Sequence, residues 1–241
     1  MLKFFRKSRQ KLFASNKFKK YLLLAIGEIF LVMVGILLAL QVNNWNEIRK
    51  EDDLEIDILK ELKNNLEIDQ LDINENIEWH TKSVYSSQII TKVFDEKLPY
   101  NDSLDYHFSR IHVFPMFLPT TTAYKSLNIY GLRLIKNDTL RFSIIRLYER
   151  THIYLNDVMK SERQQSFNDL HGLYRKEFNS VDWFGKTHPA DFNRLLKNEE
   201  YYNYLQYKIT LVKYMLSQYY MLTEELEILN KLIEEELERL K

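Results

Sequence analysis

The sequence predicts an all-α protein: one N-terminal transmembrane helix continuing into a long stalk helix, and an extramembrane antiparallel bundle of three long helices with short cap helices. Three observations lead there. Residues 21–40 read YLLLAIGEIFLVMVGILLAL, an apolar run of about 20 residues that matches a hydrocarbon core of roughly 30 Å. Five glycines and four prolines in 241 residues are too few for the tight turns of an all-β domain. Beyond the span, apolar residues recur at helical spacing over three long stretches.

The first element is a basic arm, residues 1–20. It holds Lys3, Arg6, Lys7, Arg9, Lys11, Lys17, Lys19 and Lys20 and no acid. Leu2, Phe5, Leu12 and Phe13 fall near one face of a helix over 2–13, as in a short interfacial amphipathic helix. The eight cations suit contact with lipid headgroups, at about 1 kcal/mol each near an anionic surface. They also fix orientation, because basic residues flanking a span stay cytoplasmic. Residues 21–42 then form the transmembrane helix, and residues 43–241 form a periplasmic bundle. A cleaved signal peptide has an apolar region of about 7–15 residues and a small-residue cleavage site. This run is longer and ends in Gln41-Val42-Asn43-Asn44-Trp45, so it reads as an uncleaved anchor in a bacterial inner membrane.

The zero net charge conceals an asymmetry. Of the 34 basic residues, 26 follow residue 20 and face 34 acidic ones, leaving the exterior with eight excess negative charges. Such a surface excludes nucleic acid as a partner, because phosphate recognition needs an electropositive face. The absence of cysteine excludes a disulfide framework, a thiol nucleophile and a cysteine metal site.

The bundle elements follow in order. Ile48, Leu59, Leu62, Leu66, Ile73, Ile77 and Val84 keep one helical stripe, so the membrane helix continues as a stalk, with 44–85 reaching about 60 Å. Pro99, Pro115 and Pro119 interrupt the region 98–137, read as a cap with a short helix at 102–112 and another started by Thr120 or Thr121. Gly131 is expected to end the latter in the left-handed conformation. Asp138 is the expected N-cap of a long helix carrying Leu140, Ile144, Leu147, Tyr154, Leu155, Val158, Phe167, Leu170 and Tyr174. A break at 179–189 containing Trp183 and Gly185 precedes a short helix at 190–197. Asn198 then caps a last helix whose stripe runs Leu205, Ile209, Val212, Leu216, Tyr219, Leu222, Leu226, Leu229, Ile233 and Leu240. Three such stripes bury one another best in an antiparallel bundle.

Few residues stand out as sites. Glu28 is an acid inside the span, where insertion costs about 2.5–3.5 kcal/mol at the centre of a helix. At about 100° per residue, Gly35 and Ala39 lie within about 20° of its direction. Together with the neighbouring Gly27 they form a small-residue face on which another helix can approach closely. The reading is a membrane helix interface, with Glu28 a protonated or hydrogen-bonded carboxyl rather than an ion-coupling one. The six histidines show no metal-binding spacing and read as surface or cap residues. The tyrosines at 201, 202, 204, 207, 214, 219 and 220 read as core with hydroxyls at the rim. The run Glu234-Glu235-Glu236 reads as a solvated helix face. No nucleophile elbow, phosphate-binding glycine loop or dinucleotide fingerprint is present, so neither enzyme activity nor a cofactor is expected.

Lys3-Phe4-Phe5-Arg6-Lys7, Asn16-Lys17-Phe18, Lys20-Tyr21-Leu22 and above all IGEIFLVMVGILLALQVNNWNE at 26–47 resemble an uncharacterised family of single-span membrane proteins from Bacteroidetes-type bacteria. A weaker match runs through Thr122-Ala123-Tyr124-Lys125-Ser126-Leu127 to Gly131, then Leu134-Ile135 and Leu140-Arg141. The resemblance implies a membrane location and a helical exterior, with no activity attached. It also implies that Gly27, Glu28, Gly35 and the juxtamembrane Gln41, Asn43, Asn44 and Trp45 belong to the family's pattern.

The function expected from these readings is binding. The bundle is expected to hold or scaffold an unidentified periplasmic protein, while the span pairs with a second copy or with another membrane protein. A second reading is a sensory input domain for a small molecule. Its output would come from a separate partner, since an arm of about 20 residues holds no output domain. A third is an accessory subunit of an ion-driven envelope complex that uses Glu28.

Overall fold

The computed structural model describes residues 16–241 apart from Trp183, with the side chains at 16–18, 20, 21, 165, 166 and 169–171 outside that description. The expected interfacial helix at 2–13, with Lys3, Arg6, Lys7, Arg9 and Lys11, therefore lies outside the described residues, as do the side chains of Lys17, Lys20, Leu170 and His171. The chain is all-α as its periodicity predicts, with a single two-stranded ribbon among the described residues. It divides into two units, Met1–Leu54 and Glu55–Lys241.

Helix α1, Asn16–Glu96, contributes to both. Within the first unit its described side chains are exposed, save the half-buried Val34, Asp52 and Leu54. It is long and apolar enough to cross a membrane, and its apolar window has no protein cover. Leu23, Ile29, Leu31 and Leu38 are each more than 60 % exposed, which water penalises at about 25 cal/mol per Å² of apolar surface. An uncovered helix of this composition fits a single-pass membrane protein.

The second unit is a bundle of four legs. The part of α1 from Glu55 to Glu96 is the first. Helix α2, Leu104–Ile111, an extended stretch and helix α3, Thr122–Tyr130, make the second. Helix α4, Asp138–Arg146, a π-helical turn, Leu147–Thr151, and helix α5, His152–Glu177, make the third. Strands β1, Phe178–Ser180, and β2, His188–Pro189, pair antiparallel, and the one-turn helix α6, Phe192–Leu195, follows. Helix α7, Glu199–Arg239, is the fourth leg.

Hydrogen bonds fix the directions. Lys63, Asn76 and Asp95 of α1 meet Glu234, Tyr219 and Tyr202 of α7 at 2.6, 3.4 and 2.8 Å, so numbers rise on one helix as they fall on the other. Arg146 meets Glu225 at 2.8 Å and the Tyr154 and Tyr214 hydroxyls lie 2.7 Å apart, so the third leg is also antiparallel to α7.

The region 98–137, expected as a cap, runs back along α1 as a leg in its own right. Proline at 115 and 119 prevents a continuous helix, and an extended backbone leaves N–H groups that need acceptors. Helix α1 supplies them. Asp72 Oδ2 accepts from Leu118 N at 2.9 Å, Asp69 Oδ1 from Thr120 N at 2.7 Å and Glu55 Oε1 from Lys136 N at 3.0 Å. Asn65 bonds the Thr122 hydroxyl at 3.1 Å. The stalk expected from the sequence is thus only partly a stalk: from Glu55 onward one face is buried, and much of that face is polar. Glu55, Asn65, Asp69, Asn76, His80, Ser83, Ser86 and Ser87 sit there beside Leu59, Leu62, Leu66, Ile73 and Ile90.

Several local expectations need correction. Asn137, not Asp138, caps α4, accepting from Leu140 N at 3.2 Å. Neither Thr120 nor Thr121 caps α3 through its side chain; the Thr122 hydroxyl is spent on Asn65. Gly131 does end α3, at φ 99° and ψ 134°, a glycine conformation other than the left-handed helical one. The π-turn inserts a residue and shifts the phase of the third leg, so Met159 is buried where Val158 was expected and Tyr154 faces out. Asn198 caps α7 as predicted, accepting from Tyr201 N at 3.0 Å.

At one end of the body the legs and the ribbon share a core that includes Ile90, Phe94, Phe108, Ile111, Tyr174, Phe178, Leu195 and Tyr201. Phe108, Ile111, Leu195 and Tyr201 are fully buried, each such side chain contributing about 1.5–3 kcal/mol. Tyr100, Asp105 and His188 close this end. The Tyr100 hydroxyl donates to Asp105 at 2.8 Å, and His188 Nδ1 lies 3.2 Å from the same carboxylate, which ties β2 to α2.

Candidate functional site

A cleft of about 550 Å³ opens in the side of the body. One wall is α1 at Asp72, Glu75, Asn76 and Trp79, and the facing wall is α5 at Arg163, Phe167, Tyr174 and Arg175. The extended part of the second leg, His112 to Met116, lines it between them, and Val181 and Phe184 form a lip. Each wall has a local cause. The proline-broken second leg leaves room where a helix would have filled the groove. The lip is set by Asp182, whose carboxylate accepts from Phe184 N at 3.0 Å and whose carbonyl accepts from the Ser109 hydroxyl at 2.5 Å. Glycine at 185 leaves room for this carboxylate, since an added Cβ would fall 2.1 Å from Asp182 Oδ2 and make that side chain shift. Phe184 then meets Trp79 edge to face, 5.9 Å between centroids.

The lining is mainly apolar and aromatic with a few polar groups, the composition of small-molecule sites. Asp72 is already engaged by Leu118 N and by Asn76 Nδ2, the latter at 3.1 Å. Arg163 donates to Met116 Sδ at 3.2 Å, a weak acceptor that leaves most of the guanidinium's donors unused by it. Tyr174 is pinned by its hydroxyl to Phe108 O at 3.1 Å.

Behind the cleft lies a cluster of buried basic groups. Lys208 of α7 is fully buried, and its Nζ has no hydrogen-bond partner and sits 2.9 Å from the centroid of the Phe114 ring. Burial drives this amine well below its usual lysine range, against the opposing pull of Glu162. His112 is pushed well down by burial and by Lys208. His80 is lowered to about 3 by the same two causes, burial first. The His112 ring has no hydrogen-bond partner on either nitrogen, while at His80 the Pro115 backbone opposes the lowering. Glu162 is raised by its own burial, with Lys208 opposing, and its Oε2 is buried without a partner.

These positions correct the sequence reading. His80, His112 and His152 are buried, not surface or cap residues; the core accommodates them as neutral rings packed on Tyr219, Tyr174 and Phe117. Glu236 is buried too, accepting from Asn137 at 2.8 Å and pairing with Arg239, so the terminal acidic run is not wholly solvated. Of the tyrosines, 201, 204 and 219 are core while 207, 214 and 220 are exposed. Lys208 was missed because lysine is ordinarily read as solvated. Its signal was register: 201, 204, 208, 211, 215, 219 and 222 form the buried seam of α7, with Ile209 and Leu216 only half-buried.

None of the residues singled out in the span lines the cleft. Gly27, Glu28, Gly35 and Ala39 are exposed on α1, and added Cβ atoms at Gly27 and Gly35 would meet nothing within 4 Å. Gln41, Asn43, Asn44, Trp45 and Lys19 are exposed as well, with Asn43 Nδ2 donating to Glu47 at 3.0 Å.

Fold and site together define a class: a helical body with a side cleft, on a chain that carries one helix fit to cross a membrane. The chain matches the family of unknown function DUF6090 over residues 28–184, more than half its length, and belongs to that family. No curated protein and no solved structure is similar enough to match it.

Proposed function

We propose that this protein is a membrane-anchored binding module whose cleft receives a small amphipathic molecule, acting as the sensory input for a separate output partner. The cleft carries this reading. Its volume falls in the range of about 300–1,000 Å³ typical of small-molecule sites, and its aromatic walls offer apolar burial beside a few orienting polar groups. The basic arm and acidic exterior favour an inner-membrane protein with its N-terminus in the cytoplasm and its body in the periplasm. The body works by binding rather than by catalysis, without a cofactor. The span pairs with another helix through the face of Glu28, Gly35 and Ala39. Ion coupling through Glu28 is the weaker reading, and it fails if Glu28→Gln leaves function intact while Glu28→Leu abolishes assembly.

The test is ligand binding by the full chain in nanodiscs, read by saturation-transfer NMR against empty nanodiscs. Water-soluble indoles (indole-3-acetate, indole-3-acetamide and tryptamine) share one ring and differ in charge. At least one is expected to bind and to lose binding in Phe184→Ala, whose exposed ring is free to be removed without cost to the core. Binding by none of the three contradicts the reading.

A protein-scaffolding role is the second reading, favoured by the exposure of Ile68, Leu71 and Leu118 at 47, 72 and 72 % beside the polar seam of α1. Crosslinking in native membranes that captures a partner through Leu118 would support it. The same experiment through Gly35 and Ala39 would yield only monomers if the span makes no helix pair.

A further inference from the structure

We infer that the cleft selects a small organic anion: an apolar or aromatic body bearing one carboxylate-like group, held by Arg163 and by the Lys208 amine behind Phe114. The inference rests on the reading of the cleft as a ligand site and adds the charge of the ligand. A fully buried amine without an acceptor is an anomaly, because such a group costs free energy until something pairs with it. Its protein neighbours do not supply the partner. Phe114 covers it with a ring face, neither His80 nor His112 accepts a hydrogen bond from it, and Glu162 reaches it only as a field, since no hydrogen bond joins them.

Phe114 is the shared wall. It lines the cleft and carries the amine against its ring, and it is only half-buried on an extended segment between His112 and Pro115. An acid group that displaces this ring from the cleft side meets the amine. At the mouth Arg163 of α5 faces Asp72 and Glu75 of α1, and Asp72 already accepts from the backbone of the second leg. A guanidinium binds a carboxylate through paired N–H donors, so Arg163 orients the anion and Lys208 completes its pairing.

Three ligands of one shape test this on the full chain in nanodiscs: indole-3-acetate, its neutral amide and the cationic tryptamine. The acetate is expected to bind at least tenfold more tightly than either. Arg163→Gln is expected to bring the acetate down to the affinity of the amide. Lys208→Met keeps the volume and removes the unpaired amine, so it is expected to raise the unfolding temperature and yet weaken acetate at least tenfold, leaving the amide unchanged. A purely structural Lys208 would not move the acetate-to-amide ratio. Equal binding of the three ligands overturns the anion inference while sparing the cleft; an acetate affinity unchanged in Lys208→Met overturns the role of the amine. If none of the three binds, the reading of the cleft itself fails.

Discussion

Two stretches of one helix invert the usual relation between polarity and exposure. In α1 before Leu54, leucines and isoleucines are exposed; from Glu55 onward, that glutamate and an aspartate, two asparagines, a histidine and three serines are buried. The first stretch is apolar because the medium that covers it is not protein. The second is polar because its neighbour, the second leg, is an irregular backbone whose N–H groups demand acceptors. Hydropathy therefore reports what a face meets, not whether it is covered.

The sharpest way to break the comparison is to remove the same side chain from both stretches. Leu59→Ala, at a fully buried position, is expected to cost about 2–5 kcal/mol in unfolding of the body. Leu31→Ala is expected to leave that unfolding unchanged. Denaturant titration of the full chain, followed by circular dichroism, checks both, and a body destabilised by Leu31→Ala would erase the distinction.

Asp69 comes next. Asp69→Leu strands the Thr120 N–H and is expected to cost about 1–3 kcal/mol. Asp69→Asn keeps an acceptor and removes the charge. Burial pushes this carboxyl up to about 6 from an ordinary 3.8, against the Thr120 hydrogen bonds. The native state therefore holds the proton more tightly than the unfolded chain. Its stabilising share is complete below about pH 4 and is lost as pH rises through 6. Asp69→Asn is expected to flatten that part of the stability profile and to equal or exceed the parent above pH 7. Thermal melts from pH 4 to 8 decide it.

A smaller effect probes a regular leg for contrast. Asn198→Ala removes the cap of α7 and is expected to cost about 1 kcal/mol, visible as faster amide exchange at Tyr201. A buried ring gives the opposite pH slope. Burial lowers His152 to about 4, so its unfolded form takes up a proton first, and stability falls as pH drops from about 6.5 to 4. His152→Phe is expected to reduce that loss, measured by the same melts.

The regular legs were legible in the sequence because their signals are local. Asn198 followed by two glutamates marks a helix start, and the seam of α7 keeps close to a heptad. The two short helices of the second leg were legible too, but the extended stretch between them and its course along α1 were not, since a backbone satisfied by Asp69 and Asp72 about 50 residues earlier in the chain leaves no periodicity of its own. Lys208 shows the same limit for the candidate site. Its place in the seam was readable from spacing, but its burial follows from Phe114, which only the fold brings to it. For His80, His112 and His152 the limit is the same: their burial as neutral rings follows from partners that only the fold brings to them, whereas His188 is exposed as read.

The central claim is that α1 passes from lipid to water along its length. The chain has no cysteine, so single cysteines report cleanly. Leu31 and Leu71 are 70 and 72 % exposed, an equal pair in every respect but their surroundings. Labelling Leu31→Cys and Leu71→Cys variants in nanodiscs with a membrane-impermeant maleimide is expected to leave the first unmodified and to modify the second fully. Equal labelling of the two would contradict the account.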